Sequence, residues 1–344
     1  MEYLVPADPL TSPQWDQTVL DGPSSQFFHL SCWIKTLIDT YNFKPACFIV
    51  PDQHCTIPML IVKTIRGRKK AVAFPFSDGC DIHCGKIEPD RLVEDLLKFC
   101  RTEKVNRLEF KGTTSFVPSG DPSHTYLGHK LDLTADEKKL WSGLSSSKQR
   151  NIKKSQCTGI RIRFYDGPEG QTAIREFYKL HCLTRNRHGL PPQPLKFFDW
   201  IYRNIIAGRK GKIGLAYSND SPVSGAVYFI CKHEVLFKFG ASDKSLQRMR
   251  ANDFLMWEAI KHFSGEGFKT LSFGKTEAFH EGLWRFKEGF GAKRIVMHDH
   301  CYDVRTGRKI KDAPNVHGIH NSVFRRMPVP LLRLSGEILY RYSA

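Results

Sequence analysis

The sequence lacks the features that mark several common classes of protein. Its 344 residues contain no apolar run of about 18–20 residues, the length needed to cross a bilayer. Residues 1–9 contain no basic segment leading into an apolar run, so we expect no signal peptide and predict a cytoplasmic protein. A chain of this length is long enough to form two domains of ordinary size.

Signature motifs of several enzyme classes are also absent. There is no G-x-S-x-G elbow, no H-E-x-x-H pair, no G-x-x-x-x-G-K-[ST] loop and no G-x-G-x-x-G after a strand. These absences argue against hydrolases, metalloproteases, P-loop enzymes and dinucleotide oxidoreductases. Acyl transfer to an amine is compatible with them. Such an enzyme needs only to hold an activated ester or thioester, place the amine beside its carbonyl and stabilise the oxyanion.

Ten cysteines are present, without a C-x-x-C pair. In a reducing compartment we expect most of them to be small buried residues. Two clusters, at 80–84 and 298–301, combine cysteine with histidine, but neither has the paired spacing of a structural zinc site. We therefore predict no metal, and the sequence leaves open whether the two clusters approach each other.

Positive charge is in excess, with 52 Lys and Arg against 35 Asp and Glu, a net charge of +17. Such a surface attracts nucleic acid, nucleotides, anionic sugars or an anionic membrane, or it is a solvated surface without a specific partner. The basic segment 148–154 concentrates this charge. It either follows the backbone of tRNA or a diphosphate-linked acceptor, or it is a solvated helix face.

Hydrophobic periodicity in the second half predicts a strand, two helices, three strands, and then helix, strand, helix and strand. The predicted bounds are 160–165, 169–187, 195–206, 212–217, 224–231, 234–239, 252–265, 270–273, 281–290 and 294–303. This is the element order of a GNAT acyltransferase domain. Few folds place three meandering strands directly before an α/β crossover.

The first half repeats this plan less cleanly. Helices are predicted at 31–41 and 90–102, and strands at 46–50, 56–63, 71–76, 107–111 and 126–133. We predict an α/β (α+β, mixed-sheet) protein with tandem GNAT-like domains at 1–145 and 146–314. A capping-box pattern at 134–137 predicts a helix between them. We expect the tail, 315–344, to pack back on the first domain, and the alternative for its amphipathic part, 331–342, is an interfacial membrane helix.

The loop 240–252 precedes the helix predicted at 252–265. In GNAT domains this loop presents backbone N–H groups at a helix N-terminus to the pyrophosphate of coenzyme A, usually through an [RQ]-x-x-G-x-[GA] pattern. Here Arg250 replaces the central glycine, which favours an anionic donor other than a tightly cradled coenzyme A. The alternative is a capped helix with exposed arginines. The predicted donor-binding residues are Lys238, Gln247, Arg248, Arg250 and Asn252.

Short motifs are spread along the chain: R-N-I-K-K at 150–154, F-K-F-G-A-S at 237–242, L-S-F-G-K at 271–275 and F-K-E-G-F-G at 286–291. Together they resemble the Fem-like (FemAB) aminoacyl/N-acyltransferases of the GNAT superfamily. The tail at 324–340 is similar to the variants associated with exopolysaccharide and PEP-CTERM loci. The resemblance is specific in the second half and loose in the first.

The resemblance implies roles for further residues. Fem enzymes move an amino acid from aminoacyl-tRNA to the amine of a peptidoglycan precursor, and their reaction-centre lysine maps to Lys287. A cation there would stabilise the oxyanion, and the alternative is a surface lysine. Glu277 is the candidate carboxylate for orienting the amine, and His188 and His280 are candidate bases. The predicted acceptor-binding residues are Arg150, Lys153, Arg185 and Lys275.

The leading hypothesis is aminoacyl or acyl transfer to an amine of a small-molecule or lipid-linked precursor of the cell envelope, exopolysaccharide or peptidoglycan. The co-substrate is aminoacyl-tRNA or acyl-CoA, without a tightly bound cofactor, and an anionic surface of the inner membrane is a further expected partner. One alternative is an acyl-CoA-dependent N-acetyltransferase acting on an amino sugar or amino acid. A second is a non-catalytic scaffold that binds nucleic acid or an anionic polymer.

Overall fold

The computed structural model describes residues 3–22, 26–79, 81–311 and 319–342. The chain divides into two compact units. The first unit consists of residues 1–127, 295–316 and 339–344, and the second of residues 128–294 and 317–338. Within the described ranges, no helix is long and apolar enough to span a membrane.

The helices are α1 Trp15–Asp21, α2 Ser31–Tyr41, α3 Pro89–Thr102, α4 Glu137–Ser142, α5 Ser146–Gln156, α6 Gly170–His188, α7 Leu195–Ile201, α8 Ala251–Gly265, α9 Glu281–Glu288, α10 Ile319–Arg326 and α11 Val329–Leu339. The strands are β1 Val5–Pro6, β2 Lys44–Pro45, β3 Phe48–Val50, β4 Cys55–Ile57, β5 Met59–Lys63, β6 Lys69–Ala73, β7 Arg107–Thr113, β8 His124–Asp132, β9 Arg161–Tyr165, β10 Gly211–Ser218, β11 Ser221–Cys231, β12 Glu234–Ser242, β13 Thr270–Thr276 and β14 Lys293–Asp303.

The second unit follows the predicted order of elements. Strands β9 to β12 form an antiparallel meander, and α8 then leads into β13, which pairs parallel with β12. Its core contains large apolar side chains from both the sheet and α8, among them Tyr228, Trp257 and Phe263. The predicted helix 195–206 is α-helical only to Ile201, and residues Tyr202–Ile206 continue as a π-helix.

The first unit contains a shorter version of the same arrangement. Strands β2, β5 and β6 are antiparallel, α3 follows, and β7 pairs parallel with β6. The strand predicted at 56–63 is split at Pro58, because proline has no N–H to donate to a ladder. As a result, β4 joins β1 and β3 in a separate small sheet, and β5 belongs to the main sheet.

The division into units differs from the predicted domain bounds. It falls within two strands, β8 and β14, rather than at 145. Residues 298–303 of β14 pair antiparallel with β7 and so complete the sheet of the first unit, although we had predicted them in the second domain. Strand periodicity reports which side of a strand is apolar, but it carries no information about which strand is the partner.

The tail also differs from its expected position. We predicted that it packs on the first domain, yet most of it belongs to the second unit, where α10 contacts α6. The final turn, Tyr340–Tyr342, belongs to the first unit and contacts β5. The helix expected at the capping box is present as α4, but its cap is Asp136, whose Oδ1 accepts from the N–H groups of Lys138 and Lys139 at 2.9 and 3.2 Å.

Cysteine pairing was not predicted. Cys55 and Cys84 form a disulfide, so Cys84 is not available as the metal ligand considered from the sequence, and Cys80 lies outside the described residues. In the second candidate cluster, Cys301 Sγ accepts from Arg107 Nη2 at 3.0 Å. Of the other described cysteines, six are buried, as expected, and Cys157 is exposed.

Candidate active site in the second unit

The loop before α8 has the backbone shape of a glycine-containing turn. Asp243 caps a 3₁₀ helix over Lys244–Met249, accepting from the N–H of Ser245 at 2.8 Å. Arg250 follows with φ 59° and ψ 27°, in the left-handed region that favours glycine, and α8 begins at Ala251. Arg250 occupies the position of the glycine in the usual loop pattern, and its backbone has the left-handed conformation that a glycine would adopt there.

Asn252 fastens this loop to the sheet. Its Nδ2 donates to Ser242 Oγ at 3.2 Å, and its Oδ1 accepts from Ser224 Oγ. Ser242 and Ser224 lie on β12 and β11, so both strands hold the first turn of α8 in place. This predicted donor-binding residue therefore positions the loop through its side chain.

A buried ion pair lies beneath the loop. Lys148 Nζ, from α5, lies 2.5 Å from Asp253 Oδ1 in the first turn of α8, and Asn151 Nδ2 donates to the other carboxylate oxygen at 2.8 Å. Each side chain of the pair is only 9% exposed. Burial lowers the pKa of Lys148, and the carboxylate of Asp253 acts in the opposite direction. A carboxylate in the first turn also interacts favourably with the positive end of the helix dipole.

Aromatic rings complete the surroundings of this lysine. Its ammonium lies 3.8 Å from the ring centroid of Phe286 and 4.7 Å from that of Phe290. A cation over an aromatic face is attracted by the ring quadrupole, most strongly where water is excluded. Through the ion pair and the aromatic contacts, Lys148 links α5 to both α8 and α9.

A cavity of about 330 Å³ opens at this point. Three of the five predicted donor-binding residues line it, namely Gln247, Arg250 and Asn252. They are joined there by Lys148, Asn151 and Asp253, and by Arg285 and Phe286 from α9. The lining combines the N-terminus of α8 with Arg250 and Arg285, and it also contains the carboxylate residue Asp243. The guanidinium of Arg285 donates to Glu281 Oε2 at 2.8 Å. Arginines at a helix N-terminus are suited to an anionic or strongly polar ligand.

The other two predicted donor residues are not part of this lining. Arg248 is exposed on the 3₁₀ helix, and Lys238 Nζ lies on β12, 5.3 Å from the ring centroid of Phe239. Two predicted acceptor residues, Arg150 and Lys153, are exposed on α5. Lys148 is thus buried, whereas Arg150 and Lys153 of the same basic segment face solvent.

Lys287 is buried rather than at the surface, being only 2% exposed. Its Nζ donates to Thr276 Oγ1 at 2.6 Å and to the carbonyl oxygen of Gly274 at 3.1 Å. Gly274 has φ 64°, so β13 is irregular where it receives the lysine. The carbonyl of Lys275, a predicted acceptor residue, lies 3.5 Å from the same ammonium.

A group of positive charges surrounds His188 at the end of α6. Burial lowers the pKa of His188, and the charges of Arg187, Arg185, His280 and Arg325 act in the same direction. The structure thus brings the two histidines considered as bases, and the predicted acceptor residue Arg185, into one electrostatic neighbourhood. His280 is exposed at the start of α9, and Glu277 is half-buried just after β13.

Sequence reasoning missed Asp253 and His129. His129 is fully buried on β8, its pKa is lowered to about 4 by burial and then by the charge of Lys287, and its Nε2 lies 3.8 Å from Glu288 Oε1. His129 therefore sits, neutral, beside the predicted catalytic lysine. Nothing in the sequence marked it, because its place depends on a partner more than 150 residues away.

Residues 146–288 match the family model of the acetyltransferase (GNAT) domain. The matched segment makes up less than half of the chain. The match begins at α5 and ends at α9, so every residue that lines the 330 Å³ cavity lies within it. It confirms the prediction of an acyltransferase. No curated protein matches the chain with significant sequence similarity.

Solved structures with the same fold extend the likeness to both units. FemX has a TM-score of 0.64 at 12% identity, covering 86% of this chain and 96% of its own. The C-terminal domain of a putative lysylphosphatidylglycerol synthetase from Agrobacterium fabrum gives 0.56 at 10%, covering 87% and 91%. Saccharomyces cerevisiae N-myristoyltransferase with bound myristoyl-CoA gives 0.51 at 12%, covering 88% and 83%. At these identities the likeness shows the fold alone, and it confirms the predicted tandem GNAT-like architecture.

Proposed function

We propose that this chain transfers an aminoacyl or acyl group to an amine of an exopolysaccharide or peptidoglycan precursor. The observation that carries this proposal is the cavity at the start of α8, which Arg250 and Arg285 line within the segment that matches the GNAT model. An anionic donor fits this wall because guanidinium groups and helix N-termini both stabilise negative charge. The choice of acceptor class follows the resemblance of the motifs at 150–154, 237–242, 271–275 and 286–291 to the Fem-like enzymes.

The reaction needs no nucleophile from the protein. The amine nitrogen attacks the donor carbonyl carbon, a C–N bond forms, and the C–O bond of an ester or the C–S bond of a thioester breaks. The amine loses a proton, and the leaving alkoxide or thiolate gains one. His280 is our candidate to accept the amine proton, and Glu277 to orient the amine.

Lys287 is proposed to stabilise the oxyanion of the tetrahedral intermediate. Its ammonium is held by Thr276 and by the carbonyl of Gly274, so its position is fixed before the reaction begins. A preorganised cation in a site that excludes water is worth more than one free in solvent. Loss of one such group typically lowers kcat by about 10²–10³.

The donor is either aminoacyl-tRNA or an acyl-CoA. The guanidinium of Arg250 favours a donor other than a tightly cradled coenzyme A. The left-handed backbone of Arg250 supports acyl-CoA, because α8 begins from the conformation that a glycine would provide. The second candidate function is therefore acyl-CoA-dependent N-acetylation of an amino sugar or amino acid. The GNAT match argues against the non-catalytic scaffold.

Thermal stabilisation distinguishes the donors. A ligand that binds only the native protein increases the free energy of unfolding by mass action, by about 2.7 kcal/mol at one hundred times its Kd, and so raises the unfolding midpoint. A shift with aminoacyl-tRNA and none with coenzyme A or acyl-CoA would support the leading proposal. A shift with acyl-CoA alone would support the second function. No shift with any of them would contradict both donors.

Replacement of Lys287 tests the mechanism. Lys287→Ala is expected to lower kcat for transfer from the stabilising donor by 10²-fold or more while the circular dichroism spectrum stays native. Lys293→Ala is the control, since Lys293 is exposed and pairs with Asp132 at 2.7 Å. Retained activity in Lys287→Ala would remove this residue from the mechanism.

A further inference from the structure

Helix α11 is held against the second unit by one of its faces. Leu332 is fully buried, and Gly336 is so close to the neighbouring chain that an added Cβ would lie 2.0 Å from the carbonyl oxygen of Pro192. Arg333, on the same side, places its guanidinium 5.3 Å from the ring centroid of Tyr178. The helix therefore cannot rotate about its axis without losing these contacts.

The opposite face of α11 is apolar and exposed. Leu331, Leu334 and Ile338 are 57%, 54% and 56% exposed. At about 100° per residue they lie within roughly 60° of one another and on the other side of the helix from Leu332 and Gly336. Isolated exposed leucines are common, but a helix with a second, aligned apolar face has a surface that needs a partner.

Helix α10 adds to this surface. Val323 is 56% exposed, and the end of the helix is fixed because Asn186 Nδ2 donates to the carbonyl oxygens of Phe324 and Met327 at 3.2 and 2.9 Å. Arg325 and Arg326 are exposed at its last turn.

The charge next to the apolar face is predominantly positive. Glu337 is the one acidic residue on the described part of α10 and α11, against Arg325, Arg326 and Arg333. A second copy of this chain would place like charges against each other on such a face. An anionic bilayer complements it, because arginines interact with phosphate headgroups while leucines enter the boundary of the acyl chains.

We infer that α10 and α11 dock the protein on the surface of an anionic lipid bilayer, with Leu331, Leu334 and Ile338 inserted at the headgroup boundary. The inference rests on the proposed function in one respect: an acceptor carried by a lipid would be reached from this bilayer surface. Helix α10 contacts α6, whose last turn holds Arg185 and His188, so the docking face adjoins the side of the second unit where the acceptor is expected.

Vesicle co-sedimentation tests the inference without donor or acceptor. The wild-type chain is expected to bind vesicles of phosphatidylcholine mixed with phosphatidylglycerol, and to bind pure phosphatidylcholine far more weakly. Arg325→Gln with Arg326→Gln should weaken binding about thirtyfold, since each arginine near such a surface contributes about fivefold. Leu331→Asp with Leu334→Asp should weaken it at least as much, with an unchanged unfolding midpoint because both side chains face solvent.

Matched controls come from the first unit. Arg66→Gln with Arg68→Gln removes the same charge from exposed positions, and Ile65→Asp changes a side chain that is 69% exposed. Both should bind within about twofold of wild type. Equal binding to neutral and anionic vesicles, wild-type binding by the leucine variant, or an equal loss in the Arg66/Arg68 control would each overturn the inference. Failure of acyl transfer alone leaves these binding results unchanged, so the two proposals fail separately.

Discussion

Replacing Lys148 with methionine should destabilise the second unit strongly, because it leaves a buried carboxylate without its cation. Lys148 and Asp253 are each 9% exposed, and only Asn151 would still donate to Asp253. Removing one partner of such a pair costs about 3–5 kcal/mol. Loss of the contact with Phe286 adds about 0.5–2 kcal/mol. The free energy of unfolding is therefore expected to fall by about 4 kcal/mol or more.

The double variant Lys148→Met with Asp253→Asn separates this cause from a packing defect. Neutral side chains of similar volume can replace a buried ion pair at little cost, so the double variant should recover most of the lost stability. Arg161→Met is the control for an exposed pair. Arg161 and Asp220 are 57% and 90% exposed, and breaking their contact should change stability by less than about 1 kcal/mol.

Urea unfolding followed by tryptophan fluorescence measures these differences by linear extrapolation. Trp141 and Trp257 contact each other edge to face in the second unit, with ring centroids 5.1 Å apart, and they contribute to a signal that comes from all six tryptophans of the chain. A loss below about 1 kcal/mol in Lys148→Met, or a double variant no more stable than the single one, would refute the reasoning.

Three further changes have defined outcomes. Arg250→Gly should raise stability by about 0.5–1 kcal/mol, as relief of the left-handed arginine exceeds the entropy that glycine adds to the unfolded chain, and an unchanged or lower unfolding midpoint would contradict the strain. His29 is buried with its pKa lowered to about 4, so below about pH 6.5 the unfolded chain binds its proton first and stability should fall by about 1.4 kcal/mol per pH unit down to about pH 4. His29→Gln should reduce the slope of the unfolding free energy against pH by this amount, while other buried histidines such as His129, whose pKa is also lowered to about 4, keep their own contribution. Cys55→Ser with Cys84→Ser opens a loop of 29 residues and should cost about 3–4 kcal/mol, and a reductant should lower the midpoint of the wild-type protein but not that of the variant.

The element order of the second unit could be predicted because its signals are local. Helix α6 ends where Gly189 adopts φ 68°. The strands of the meander are visible as periodic segments, and turn residues separate them in the sequence. Helix α2 begins and ends at the predicted residues. Strand pairing is not a local property, which is why the place of β14 in the first unit was missed.

The candidate site shows the same difference between local and long-range features. The loop around Arg250 was predicted, because a turn rich in cations directly before a helix can be recognised from a few consecutive residues. The pair formed by Lys148 and Asp253 was not, because 105 residues separate its members and Lys148 looks like any other cation of its segment. Lys287 was chosen by resemblance, and its burial could not be inferred from its neighbours in the chain.

The return of residues 295–316 to the first unit bears on how the chain folds during synthesis. Strand β7 obtains its partner β14 only after some 180 further residues have been made. By then the continuous segment 128–294 has already emerged. The N-terminal unit is therefore expected to be completed after the segment that follows it, the reverse of the usual order from N- to C-terminus. A fragment cut at residue 145 would lack β14 and leave an open sheet edge, exposed to aggregation.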